Sequence, residues 1–176
     1  MNILPVLKIG KLVVLYAPHA AREESSMLAA ELAQRGLLTV LDGGNRFVPY
    51  RVAQLIRQKT VDVDAVSKRL FIRRAFTCYE MNSLLGDTQA LSQPYLILDL
   101  LNTFYDDHVP THETCRLLEL CLNQIQRLQI SAPVVISLAP PSVKERAFLI
   151  EKVCKKADEI FTVEPSVSQA TQPVLF

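Results

Sequence analysis

Tyr95–Leu101 reads YLILDLL, six apolar residues interrupted once, by Asp99. A strand with one wet face alternates apolar and polar residues, whereas a strand covered on both faces runs almost continuously apolar. This stretch is therefore expected to be a strand of a parallel sheet with helices above and below it. Outward from it, Val134–Leu138 (VVISL), Leu12–Tyr16 (LVVLY) and Leu37–Leu41 (LLTVL) have the same character. Leu70–Ile72, inside KRLFIRRAF, and Ile160–Val163 (IFTV) are shorter strands of the same kind.

Helical signals fill the intervals. In Glu113–Gln129 the apolar positions Leu117, Leu118, Cys121, Leu122, Ile125 and Leu128 recur at helical spacing, and Thr111 is placed to cap the start. Thr77 with Glu80, and Ser142 with Glu145, make capping boxes ahead of apolar runs. Pro49 suits the first turn of a helix carrying Val52, Leu55 and Ile56. Arg22–Gln34 is rich in Ala and Leu and stops at Gly36. Strand and helix in alternation imply βαβ units with right-handed crossovers, so the fold class is α/β, a doubly wound parallel sheet in three αβα layers. One domain is expected over residues 1–163, followed by a C-terminal tail over 164–176 where periodicity is lost.

Composition narrows the function. Half of the 176 residues are apolar and the net charge is +1. A self-sufficient nucleic-acid binder carries a strongly basic face, so any such role here is local or shared. No apolar run approaches the ~20 residues that span a bilayer, and the four cysteines form no CxxC or dense framework. A cytoplasmic protein with reduced thiols and no membrane partner is expected.

Three stretches, in order, resemble RecA/RadA-type recombinase ATPase cores. LPVLKIGKLVVLYAP (Leu4–Pro18) is similar to the lead-in and strand before the family's phosphate loop. LDGGNRFVPYR (Leu41–Arg51) resembles the strand-end signature D-T-E-G-T-F-R-P-E-R, with Asp42, Phe47, Pro49 and Arg51 matching without a gap. RAFTCYEMNSLL (Arg74–Leu85) resembles the R-A-F/Y-N segment, and Asp99 falls on the Walker B aspartate. The resemblance implies a strand order, numbered by appearance, of 3-2-4-5-1-6, with Asp99 at the C-terminal end of the fourth strand.

The departures from the family pattern are specific. A phosphate loop needs G-x-x-x-x-G-K-[ST], so that backbone N–H groups close on phosphate, Lys neutralises it and Ser/Thr holds magnesium. The matching stretch, APHAAREES (Ala17–Ser25), puts Ala17, Ala20 and Arg22 on glycine positions, Glu23 on the Lys and Glu24 on the Ser/Thr. Two carboxylates where a triphosphate belongs repel it. The water-activating glutamate falls on Gly44, which has no base. The resemblance thus implies a pseudo-ATPase with no nucleotide cofactor. Such a domain would work as an assembly or protein-interaction module, with a protein partner or further copies of itself, in DNA recombination or repair.

Other readings belong to the same residues. Asp42 and Asp99 end strands, where solvent exposure or capping is the ordinary role, and Gly43 and Gly44 supply positive φ at a sharp exit. Asp42, Asn45, Arg46, Arg74, Asp99 and Asp106 project toward the crevice at the strand C-termini, where an enzyme or nucleotide sensor of another kind would bind its ligand. Arg46, Arg73 and Arg74 offer a third reading, single-stranded nucleic-acid binding. Asp106, Asp107, His108, His112 and Glu113 carry metal-ligand chemistry, but Pro110 separates the histidines and a polar loop suffices to explain them, so no metal is expected. Two apolar ends, MNILPVL (Met1–Leu7) and PVLF (Pro173–Phe176), either serve a partner or, at the N-terminus, close the protein's own core.

Overall fold

The computed structural model describes residues 3–141 and 143–163. The tail 164–176, Met1, Asn2 and the expected cap Ser142 lie outside them. Six strands, β1 (Leu12–Tyr16), β2 (Leu38–Asp42), β3 (Leu70–Arg74), β4 (Tyr95–Leu98), β5 (Val134–Leu138) and β6 (Glu159–Thr162), form one sheet. Every pairing is parallel and the order is β3-β2-β4-β5-β1-β6. This is the order that the resemblance implies.

Side chains alternate between two cores. Leu12, Val14, Leu41, Tyr95, Ile97, Val134 and Ile136 face α4 (Cys78–Asp87), α5 (Thr111–Ser131) and α6 (Phe148–Cys154). Val13, Leu15, Leu38, Val40, Leu96, Leu98 and Val135 face α1 (Arg22–Arg35), α2 (Pro49–Arg57) and α3 (Val63–Ser67). The sheet is thus the middle of three layers. At about 1.5–3 kcal/mol for each large apolar side chain buried, these two faces dominate the stability. Ile3 is buried in the second core, with Leu4, Val6 and Leu7 packed against it. Of the two readings of the N-terminal stretch, its described part closes the domain's own core.

Several local expectations need correction. β4 stops at Leu98 rather than running to Leu101, because Asp99 takes left-handed backbone (φ 48°) and a 3-10 turn, Leu100–Phe104, follows. Neither Gly43 nor Gly44 has positive φ; that conformation falls on Asn45 (φ 53°). Asp42 and Asp99 do not meet solvent: both are fully buried. Thr111 is the first helical residue of α5 rather than its cap, since Pro110 occupies the N-cap position. α3, started by Asp62 accepting a bond from the Ala65 N–H, has no counterpart in the sequence reading. The Thr77 box holds with one change: Thr77 Oγ1 accepts from the Glu80 N–H at 3.1 Å, while Glu80 Oε2 accepts from Phe76, one residue further out.

Arginines close helix ends and loops. Arg69 donates to the carbonyls of Ala33 and Gln34 at the end of α1, and Arg127 to those of Leu85 and Thr88 at the end of α4. A cation beside the last carbonyls opposes the negative end of the helix dipole. Arg146 is buried and donates to the carbonyls of Phe104 and Val109 and to Thr114 Oγ1. It thereby ties the segment between β4 and α5 to the chain that follows β5. No helix among the described residues is long and apolar enough to cross a membrane.

Candidate functional site

Parallel strands deliver their C-terminal ends to one rim, and β1, β2 and β4 each leave the sheet there with unusual backbone. After β1, Ala17–Arg22 carries three consecutive residues of left-handed conformation: His19 (φ 55°), Ala20 (φ 54°) and Ala21 (φ 50°). Only glycine takes that conformation without a Cβ penalty. Ala20 and Ala21 are buried, and the Ala20 N–H is spent on the Ala17 carbonyl at 3.1 Å. The stretch is therefore a turn closed on itself. α1 begins directly after it, with no side chain capping its first turn.

After β2, Asp42 organises the loop that carries the strand-end signature. Its Oδ1 accepts from the Arg46 N–H at 2.9 Å and its Oδ2 from the Phe47 N–H at 3.0 Å. Arg74, at the end of β3, reaches the same Oδ2 through Nε at 3.3 Å and the Phe47 carbonyl through Nη2 at 3.0 Å. Phe47 is itself buried.

After β4 comes Asp99, whose N–H donates to the buried Ser137 Oγ on β5 at 2.9 Å. Its Oδ2 accepts from Arg46 Nε at 2.7 Å, with the carboxylate 1% and the arginine 29% exposed. Asp99 Oδ1 is buried without a partner among the described residues. A Cβ on Gly44 would lie 2.5 Å from Asp99 Cβ and Oδ2, and one on Gly43 2.6 Å from Met81 Cε. The glycines are there for close approach. At position 44 the room that a glutamate would need is filled by Asp99.

The rim encloses a cleft of about 740 Å³ lined by His19, Arg22, Glu23, Glu24, Arg46 and Arg51, among others. Glu23 accepts from Arg51 Nε at 3.0 Å and also from Nη2, and these bonds hold its carboxyl below the usual range. The expectation that Glu23 and Glu24 together repel phosphate is thus corrected for Glu23, whose charge Arg51 neutralises. Glu24 has no ion-pair partner among the described residues. Arg22 and Arg46 add positive charge, so the cleft walls are mixed rather than acidic.

Of the residues expected at the crevice, Asp42, Arg46, Arg74 and Asp99 converge, with Asn45 exposed at the turn between them. Arg73 stands apart, exposed on the edge strand and without an ion-pair partner among the described residues. Asp106, Asp107 and His108 bring ligand atoms within 4.8 Å of one another, all exposed. Asp106, and secondarily Asp107, raise the His108 pKa above its ordinary value. His112 does not join that group, and Glu113 is held by Arg116, so the five residues do not form one ligand set. The role of Arg51 as counterion to Glu23 was missed, since 28 residues separate the two. The only signal was the match of Arg51 to the strand-end signature.

No known protein family matches the chain, and no curated protein is significantly similar to it.

Proposed function

We propose that the chain is a non-catalytic domain of the RecA type that acts by assembling with another macromolecule, a protein partner or further copies of itself, as an accessory factor in DNA recombination or repair. The carrying observation is the pairing of Arg46 with Asp99 over Gly44. A Walker B aspartate must face a metal–nucleotide complex, yet this one is buried and bonded to an arginine, and the neighbouring position that would supply a base is glycine. Removing both functions leaves a fold whose remaining asset is its surface. The pathway rests on the resemblance of Leu4–Leu138 alone.

Calorimetric titration with ATP, ADP and GTP in magnesium, with a phosphate-release assay, tests the reading. Binding no tighter than millimolar and no hydrolysis are expected; micromolar binding with turnover overturns it. One observation favours a second reading, a nucleotide sensor: Arg22 and Arg46 line the cleft beside the uncapped start of α1. In the same titration that reading requires tight, turnover-free binding that is lost in Arg22→Ala.

A further inference from the structure

Among the described residues β3 is an edge strand, paired with β2 on one side only. The bonds flanking it, from the Leu38 N–H to the Arg69 carbonyl and from the Ala75 N–H to the Asp42 carbonyl, fix which residues serve the ladder. Positions 69, 71, 73 and 75 face β2. The N–H and C=O groups of Leu70, Ile72 and Arg74 therefore point outward, an open template for another strand. Edges of this kind are normally blunted by charge. Here Arg74 is turned back onto Asp42, and Phe71 (50% exposed) and Ile72 (37% exposed) stand on the edge with Arg73 between Ile72 and Arg74. Phe76, two residues past the strand, and Tyr79, in the first turn of α4, are also exposed.

The order Leu70–Phe71–Ile72–Arg73–Arg74 is complementary to itself when reversed. If two copies of β3 run antiparallel about a twofold axis at Ile72, Ile72 meets Ile72, Leu70 meets Arg74 and Phe71 meets Arg73. The hydrogen-bonded positions of that register are Leu70–Arg74 and Ile72–Ile72, the residues whose groups point outward, which gives about six new main-chain bonds, two per pair. Phe71 and Arg73 share the face of the sheet that α4 covers, as their register partners Thr39 and Leu41 require. They would meet in the closer, non-bonded pairing, where a guanidinium lies over an aromatic face twice in each dimer. No two like charges stand directly opposite.

We infer that β3 is an interface for a second copy of this chain, joining two six-stranded sheets edge to edge about a twofold axis. A single strand pair buries less than the roughly 1,200 Å² of a stable interface, so the exposed Phe76 and Tyr79 are part of the contact. The inference rests on the assembly reading above and names one of its surfaces.

Sedimentation equilibrium of the full chain is expected to show a dimer. Phe71→Lys, which sets a lysine against Arg73 of the other copy, should weaken it about tenfold or more. Adding Arg73→Glu to that chain should restore association, because each new lysine then meets a glutamate; misfolding would not be rescued in this way. Ile72→Cys chains should cross-link to each other on mild oxidation, since Cα atoms in such a pair lie about 5.5 Å apart, within disulfide reach. A monomer at all concentrations overturns the inference, and so does a dimer indifferent to Phe71→Lys, although the latter leaves the assembly reading standing on another surface. Binding of a single-stranded oligonucleotide that Phe71→Lys strengthens and Arg73→Glu abolishes, in a chain that stays monomeric, also overturns it in favour of nucleic acid.

Discussion

Arg46 Nε lies 2.7 Å from Asp99 Oδ2, and Arg46 is also the residue whose N–H is bonded to Asp42. One arginine thus links the ends of β2 and β4, holding the first through its backbone and the second through its side chain. Arg46→Met leaves a buried carboxylate without its counterion and should cost about 2–4 kcal/mol, somewhat below a fully buried pair because the guanidinium is partly wet. Asp99→Asn in the same chain should recover part of that loss, giving a coupling of about 1 kcal/mol or more in a double-mutant cycle by urea denaturation. Strict additivity would mean that the pair contributes nothing as a pair.

The two adjacent glycines should respond differently to alanine. At position 44 the new Cβ meets Asp99 Cβ and Oδ2 at 2.5 Å, on a residue pinned by Ser137 and Arg46. At position 43 the closest atom is the end of the flexible Met81 side chain. Gly44→Ala is expected to cost about 2–3 kcal/mol and Gly43→Ala about 1 kcal/mol less. Thermal midpoints of the two variants check the order.

Installing phosphate-loop chemistry in part should fail. Glu23→Lys with Glu24→Ser supplies the cation and hydroxyl of such a loop, but it sets the lysine against Arg51 and leaves Gly44 without a base. Phosphate release should stay at background, and turnover in this variant would show that the Asp99 end of the site is competent. Stability should change by only about 1 kcal/mol or less, because the Glu23–Arg51 pair is exposed.

Acid should weaken the β1–β6 junction first at Asp158. Its carboxylate accepts from the Leu12 N–H at 2.8 Å, from Lys11 Nζ at 2.9 Å and from Gln129, and the Leu12 bond above all holds its pKa below the ordinary carboxylate value. A depressed native pKa gives stability that is complete above the unfolded value, about 4, and is lost as pH falls through the lower native one. Asp158→Asn should therefore be less stable at neutral pH and lose less between about pH 4 and pH 2. Urea midpoints across that range measure it; parallel curves for the two proteins would remove Asp158 from acid unfolding.

The strands were legible because burial on both faces leaves continuous apolar runs, as in YLILDLL, VVISL and LVVLY, whereas their order came only from the resemblance, since alternating strands and helices do not fix it. β4 was read three residues too long, since Leu100 and Leu101 are as apolar as a strand requires and the left-handed turn at Asp99 has no compositional mark. α3 is five residues and was hidden by length. At the rim, the acidic pair Glu23 and Glu24 and the glycine at 44 could be read from the sequence, but what surrounds them could not. Arg51 neutralises Glu23 across 28 residues and Arg46 covers Asp99 across 53, and partners that far apart meet only once the sheet is built. Gly44 was assigned a turn conformation when its actual constraint is the neighbouring carboxylate, and nothing local distinguishes the two.

β1 lies between β5 and β6, the last two strands to be made: Leu12 pairs with Val134, and Val13 with Glu159. During synthesis LVVLY emerges early and finds no lateral partner until more than a hundred further residues have left the ribosome. At about 5–20 residues per second that wait is on the order of ten seconds. Through it, a fully apolar strand with two open edges must stay out of aggregates. The sheet is therefore complete only once β5 and β6 have been made, and the yield in a cell should depend on chaperones that shield Leu12–Tyr16 until then, with translation speed before β5 as the controlling variable.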